Sequence, residues 1–346
     1  MSVSINVNII ITYSLAIIVL IHSYKFRGLY KSLLLFFGSW VVGGGIENAN
    51  TIFDGYFYPG SELTWFWGEC PFDVILGWYV IIYCSSYMAH AVIGKFEGSS
   101  FIIGMGSKPA GIDKIFLKRT ILRAALAGYI AISLDFLIDP VAVANGWWVW
   151  KIHNIYLLGV PVGNYLGWWL LIFWGVFFYD FILTYSGIRQ NERWKTSAMW
   201  ATGTIIASLV AGLILMAFTY WWSMEGIRTE GLNTHALDTT ITPERLNGIV
   251  WAVIIVVIAI GAIMASAFLP ERKPKPPSTQ KTWLVLPAAV MLVFWAVIMV
   301  VAASTGPEFL AIGVLFCAHY VILCLFIMVR PKKFFQEFDS SIKETL

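Results

Sequence analysis

A helix needs roughly 20 consecutive apolar residues to cross the hydrocarbon core of a bilayer. Runs of that kind recur along this chain, near 5–24, 32–53, 73–94, 119–138, 164–187, 198–222, 247–269, 283–304 and 309–329. They predict an all-α fold, a polytopic transmembrane helical bundle of about nine spans. Composition agrees, with 12% charged residues among 346, where soluble domains carry about a quarter. A soluble fold is excluded.

Basic residues stay cytoplasmic when membrane proteins insert, so their distribution sets orientation. Loops 25–31, 95–123, 189–195 and 272–281 and the C-terminal tail hold 3, 6, 3, 4 and 4 of the 23 Lys and Arg, leaving Lys151, Arg228 and Arg245 for the other side. Every second loop is basic, which predicts an N-out, C-in topology in a prokaryotic cell membrane. The first span lacks a basic leader and is followed by Lys25 and Arg27, so it reads as a retained anchor rather than a signal peptide.

The segment ERKPKPPSTQK from Glu271 to Lys281 is charged and proline-rich, as an extended linker is. It divides the chain into a seven-span core (1–270), a cytoplasmic linker (271–282), two C-terminal spans (283–329) that read as an accessory pair, and a cytoplasmic tail (330–346). No inverted repeat stands out.

Several function classes lack their residues. No Lys/Arg cluster is interleaved with aromatics, so nucleic acid is not expected as a partner. Cys70, Cys84, Cys317 and Cys324 form no CxxC pair, and His22, His90, His153, His235 and His319 are scattered, so no metal site is expected. No lysine falls within a span, which removes a retinal Schiff base. The triplet Gly43, Gly44 and Gly45 lies inside a span, where close helix packing is its expected role.

An ionisable residue within a span costs about 2.5–3.5 kcal/mol on insertion scales, so each asks for a reason. Glu47 and Asn48 lie in the outer part of the second span, Asp54 follows it, and Asp73 opens the third. Asp135 and Asp139 close the fourth span and Asn164 opens the fifth. All are expected near the outer boundary, together with Tyr56, Tyr58, Trp65, Trp67, Trp78, Trp147, Trp148 and Trp150. His153, beside the tryptophan run, has the best chance among the histidines of joining them.

Asp135 and Asp139 are spaced i, i+4, which stacks two carboxyls on one helix face, although Pro140 biases Asp139 towards extended geometry. Two carboxyls so close do not ionise together easily, and burial acts the same way. The pair is a candidate general acid, and tryptophan faces nearby suit a developing carbocation. Outer loop 223–246 is long enough to form a cap.

The stretch from Glu47 through Tyr56 and Tyr58 to PFDVILGW (Pro71 to Trp78), LDFLIDPVAVANGWWVW (Leu134 to Trp150) and GVPVGNYLGW (Gly159 to Trp168) resembles the carotenoid biosynthesis protein family. The resemblance covers about residues 35–187. The family's glycine-rich FG-x-Y-x-Y segment appears as FDGYFYPG, with Asp54 inserted. The resemblance implies addition of water across an isoprenoid double bond without a cofactor, giving a tertiary alcohol. It also implies a hydrophobic polyisoprenoid substrate, either a carotenoid end group or a geranylgeranyl ether lipid, reached from membrane lipid. Glu47, Asp135 and Asp139 match the family's acidic positions. Trp147, Trp148, Pro161, Asn164 and Trp168 match its aromatic and loop motif.

Two other classes stay open on the residues alone. Intramembrane carboxyls also build proton-coupled transporters, though here only Asp180 lies towards the other end of its span. A noncatalytic carotenoid- or lipid-binding subunit of a larger membrane complex, or an oligomer, needs the same aromatic groove. The residues do not say which carboxylate donates a proton.

Overall fold

A computed structural model describes residues 3–52, 56–59, 70–97, 114–150, 156–188 and 281–328, with isolated positions between 195 and 268. Helix α1 (Val3–Arg27) ends at Gly28, whose φ of 80° only glycine adopts without steric cost. The chain reverses there into α2 (Leu29–Ser39), passes through a π-helical turn (Trp40–Gly44) and continues as α3 (Gly45–Ile52). Then come α4 (Phe72–Glu97), α5 (Lys114–Ala144), α6 (Val162–Ile188), α7 (Lys281–Thr305) and α8 (Pro307–Met328).

Among the described residues, four helical stretches are long and apolar enough to cross a membrane: Phe72–Ile93, Leu117–Ala144, Val162–Asp180 and Val285–Thr305. Shorter apolar stretches lie in α1, α2 and α8. The spans expected near 198–222 and 247–269, loop 223–246, the tail and most of the linker lie outside the described residues.

Helix α4 is the axis of the bundle and packs against α1, α2, the π-helical turn, α5, α6, α7 and α8. Ile75, Tyr79, Tyr83 and Met88 along it are fully buried. Ile17, Val300, Leu315 and Ile322 point outward and are exposed. In a soluble protein such residues would face the core; here they form the surface offered to lipid. The helix pair α7–α8, separated by the linker in sequence, packs on α4 and α5.

One expectation at the fourth span is corrected. Pro140 neither ends the helix nor leaves Asp139 extended, because α5 runs through it to Ala144. Proline removes one backbone donor and disfavours helix at the residue before it, but neighbouring helices make this tolerable within a membrane bundle. The i, i+4 relation of Asp135 and Asp139 therefore holds in full.

The loops add two short antiparallel ladders to the helical fold. Strand β1 (Tyr56–Phe57) pairs with β2 (Val149–Trp150), placing Tyr56 opposite Trp150. Strands β3 (Tyr156–Leu157) and β4 (Val160–Pro161) form a hairpin closed by Leu158 and Gly159, with φ of 57° and 79°. A two-residue turn with both φ values positive suits Asn-Gly, whereas leucine there is strained by about 1–2 kcal/mol. Leu158 is exposed, so Leu158→Asn is expected to stabilise the protein by about 1 kcal/mol. A higher thermal unfolding midpoint in detergent is the measurement.

A second polar cluster lies at the other end of the bundle. The Arg27 guanidinium sits 5.0 Å from the Tyr83 ring and 5.2 Å from Tyr179, and His90 Nε2 meets Asp180 Oδ2 at 2.7 Å. His90 is 17 residues beyond Asp73 on α4, about 25 Å along the helix.

Candidate active site

The π-helical turn sets the first carboxyl. A π turn inserts an extra residue into a helix and frees backbone groups; here Asn48 Nδ2 donates to Gly44 O at 2.7 Å while Asn48 Oδ1 accepts from Cys70 N at 3.2 Å. The turn is thus tied to the residues that open α4. Glycine makes the approach feasible, since a Cβ at Gly43 would lie 2.6 Å from Cβ and Cγ of Trp78. That contact carries the expected packing role of the glycine triplet.

With the π-helical turn pressed on α4, three donors reach Glu47. Trp78 Nε1 donates to Oε1 at 2.7 Å, Tyr58 OH donates to Oε2 at 2.9 Å, and Tyr56 OH also donates to Oε2. Desolvation, followed by the neighbouring Glu47 carboxylate, holds the Tyr58 phenol well above its usual range, so it remains a donor. The β1–β2 ladder fixes the tyrosines, with Tyr56 packed edge-on to Trp150 at 4.8 Å and Tyr58 to Trp148 at 6.0 Å.

The second group comes from α5 and α6. Asn164, in the first turn of α6, donates from one nitrogen to Asp139 Oδ2 and, at 3.4 Å, to Asp135 Oδ2. Both carboxyls are buried. Asp139 faces the cavity and Asp135 stands behind it on the same helix face.

A cavity of about 90 Å³ lies between the two groups. Trp147, Trp148, Trp150 and Trp168 line it with Asp73, Tyr56, Tyr58, Asn164, Glu47 and Asp139. Trp78 and Trp168 face each other at 4.4 Å with an interplanar angle of 36°. Its apolar remainder is made by Val74, Gly77, Ile81, Ile138, Phe294 and Ile298, with Thr12 from α1.

Of the residues expected at the site, Glu47, Asp73, Asp139, Tyr56, Tyr58, Asn164, Trp147, Trp148, Trp150 and Trp168 border this one cavity, and Asp135 stands directly behind Asp139. His153, Asp54, Trp65 and Trp67 lie outside the described residues. Sequence reasoning did not assign Trp78 as a partner of Glu47, nor Thr12, Phe294 and Ile298 as lining. Thr12 carried a weak signal, as a hydroxyl in the first half of an apolar run. Nothing local marked Phe294 or Ile298. Among the described residues, no three His, Cys, Asp or Glu side chains are grouped to hold a metal.

A helical membrane bundle with a buried acidic cavity walled by tryptophan is the class this geometry defines. The chain belongs to the carotenoid biosynthesis protein family, whose profile matches residues 6–226. It is also 30% identical over 121 residues to the bisanhydrobacterioruberin hydratase of Haloarcula japonica. That alignment covers 34% of this chain and 40% of the relative's length. No solved structure matches.

Proposed function

We propose that this protein is a membrane hydratase that adds water across a terminal isoprenoid double bond, through a tertiary carbocation, at the Glu47–Asp139 cavity. The observation that carries the reading is the unequal treatment of the carboxyls that share it. Glu47 receives three donors, an arrangement that suits an anion. Asp135 and Asp139 share a single amide donor and lie one turn apart on one face of α5, an arrangement that suits a proton held between them. An acid and a base thus face one apolar space. The family and the hydratase relative support the same class of chemistry.

In the proposed mechanism, Asp139, which faces the cavity, gives its proton to the less substituted alkene carbon, with Asp135 as its partner behind. The cation forms on the substituted carbon among Trp78, Trp147, Trp148 and Trp168. Tryptophan faces stabilise a desolvated cation by about 2 kcal/mol, and the Glu47 charge acts in the same direction. Water adds to the cation and loses a proton to Glu47, and return of that proton to Asp139 closes the cycle. Substrate and water give a tertiary alcohol with nothing left over.

The cavity takes one end of a polyisoprenoid, a carotenoid end group or an unsaturated ether lipid, and the rest of the chain lies among lipids. Described basic residues such as Lys25, Lys31, Lys118 and Lys281 sit on helix ends away from the cavity. By the positive-inside rule this supports a site on the extracytoplasmic side of a prokaryotic cell membrane.

The test is incubation of the purified protein in liposomes with an acyclic carotenoid or an unsaturated ether lipid, in ordinary and in heavy-oxygen water. A product heavier by one water, carrying the label from the solvent, is expected. Binding of either lipid with no product would instead favour a carrier or binding subunit.

A further inference from the structure

Beside Glu47, Asp139 and the tyrosines the cavity has an apolar side, a slot between α4 and α7. Val74, Gly77 and Ile81 line that slot and recur at helical spacing, so they share one face of α4. Phe294 and Ile298, spaced i, i+4 on α7, line it too. At Gly77 a Cβ would meet only Thr12 Cγ2, at 3.9 Å, which is ordinary contact. The slot is therefore open at Gly77 because a side chain is absent there.

The α7 wall is held firmly. Trp295, next to Phe294, is fully buried and lies 5.5 Å from the Tyr320 ring of α8. A Cβ at Gly313 of α8 would collide with Met299 Sδ and come within 3.1 Å of Leu137, so α8 backbone abuts both α7 and α5. Asn145 Nδ2 donates to Thr305 Oγ1 at 2.8 Å, tying the end of α7 to the turn after α5. Residues with this support keep a fixed position, which selection by shape requires.

We infer that Phe294 and Ile298 of α7, facing Gly77 of α4, form the wall that selects the isoprenoid chain. They are specificity-determining residues contributed by a part of the chain that the family profile does not reach. The match ends at residue 226, so the acid-bearing residues lie within the shared part and α7 lies beyond it. Substrate choice can then differ between relatives while the reaction stays the same. This inference rests on the hydratase reading for its substrate class but makes a separate claim about chain length.

The test compares the full-length protein with Gly77→Leu and Ile298→Trp, each reconstituted in liposomes at matched insertion. The substrates are a monoterpene alkene, which ends before the slot, and an acyclic carotenoid with the same end group, which must run along it. The ratio of long-chain to short-chain kcat/KM is expected to fall about tenfold in both variants, the size of effect that small changes of volume in an apolar pocket produce. A ratio unchanged in both overturns the inference. If the bulky variants do not insert, Ile298→Ala decides: lost chain contacts are expected to lower the ratio several-fold, and no shift overturns the claim. Quenching of tryptophan fluorescence by the polyene, against displacement by the monoterpene, gives the same ratio as Kd values without turnover. If the unsubstituted protein adds water to neither substrate, the hydratase reading fails, and the Kd ratio still decides the role of α7.

Discussion

Replacing Asp139 with asparagine is expected to lower the hydration rate about a thousandfold, within the hundred- to ten-thousandfold range typical of a positioned general acid. The amide has nearly the shape of the carboxyl and, with a flipped orientation, still pairs with Asn164, so insertion and folding should survive. It has no proton to give. Asp135→Asn is expected to lose less, about ten- to a hundredfold, because the donor still faces the alkene and only its partner changes. Product formation over time, at equal protein in liposomes, is the measurement. In deuterated water the wild-type product should carry one carbon-bound deuterium, which marks protonation of the alkene carbon. Full activity in both variants would sink the mechanism, whereas an inactive Asp135→Asn beside an active Asp139→Asn would move the donor to Asp135.

A larger structural effect is expected from a single methyl group. Gly43→Ala puts a Cβ 2.6 Å from Cβ and Cγ of Trp78, well inside contact distance. These atoms are the root of the indole and are fixed to the α4 backbone, so rotation of the ring does not clear them. Either the π-helical turn and α4 separate or the tryptophan leaves its rotamer, at about 1–3 kcal/mol. Both responses withdraw the Nε1 donor from Glu47. The variant should therefore unfold at lower temperature and lose activity together, and Gly77→Ala, with its nearest neighbour at 3.9 Å, is the matched control for stability. Equal melting of the two alanine variants would contradict the close approach at Gly43.

The helices were legible because hydropathy is a property of each segment taken alone. The stretch read as 164–187 is α6 (Val162–Ile188), and that read as 283–304 is α7 (Lys281–Thr305). The helix through Pro140 was not legible, since tolerance of an interior proline depends on neighbouring helices that sequence does not display. The acids were legible because each is costly in its setting. What escaped was pairing across helices: Trp78 read as part of an aromatic group, and only its height on α4 relative to Glu47 makes it a donor. Phe294 and Ile298 are ordinary residues of an apolar run, and their position against Gly77 exists only after the chain has folded. Separation by the linker made the last two helices read as an accessory pair, whereas their packing brings one of them to the cavity wall.

The π-helical turn at Trp40–Gly44 acts as a phase shifter between two reading frames on one rod. Below it, Tyr30, Leu34, Leu35 and Gly38 are buried and keep α2 in place; above it, Glu47 faces the site and Asn48 holds Cys70 N. An uninterrupted α-helix turns about 100° per residue, so removing the extra residue would leave the lower half seated and swing the upper half away by roughly a quarter of a turn. The bearing of Glu47 is thus indexed separately from the seat of the helix that carries it. A one-residue deletion in Gly43–Gly45 would behave as a frameshift in space, sparing the seat of α2 and misaiming the carboxylate.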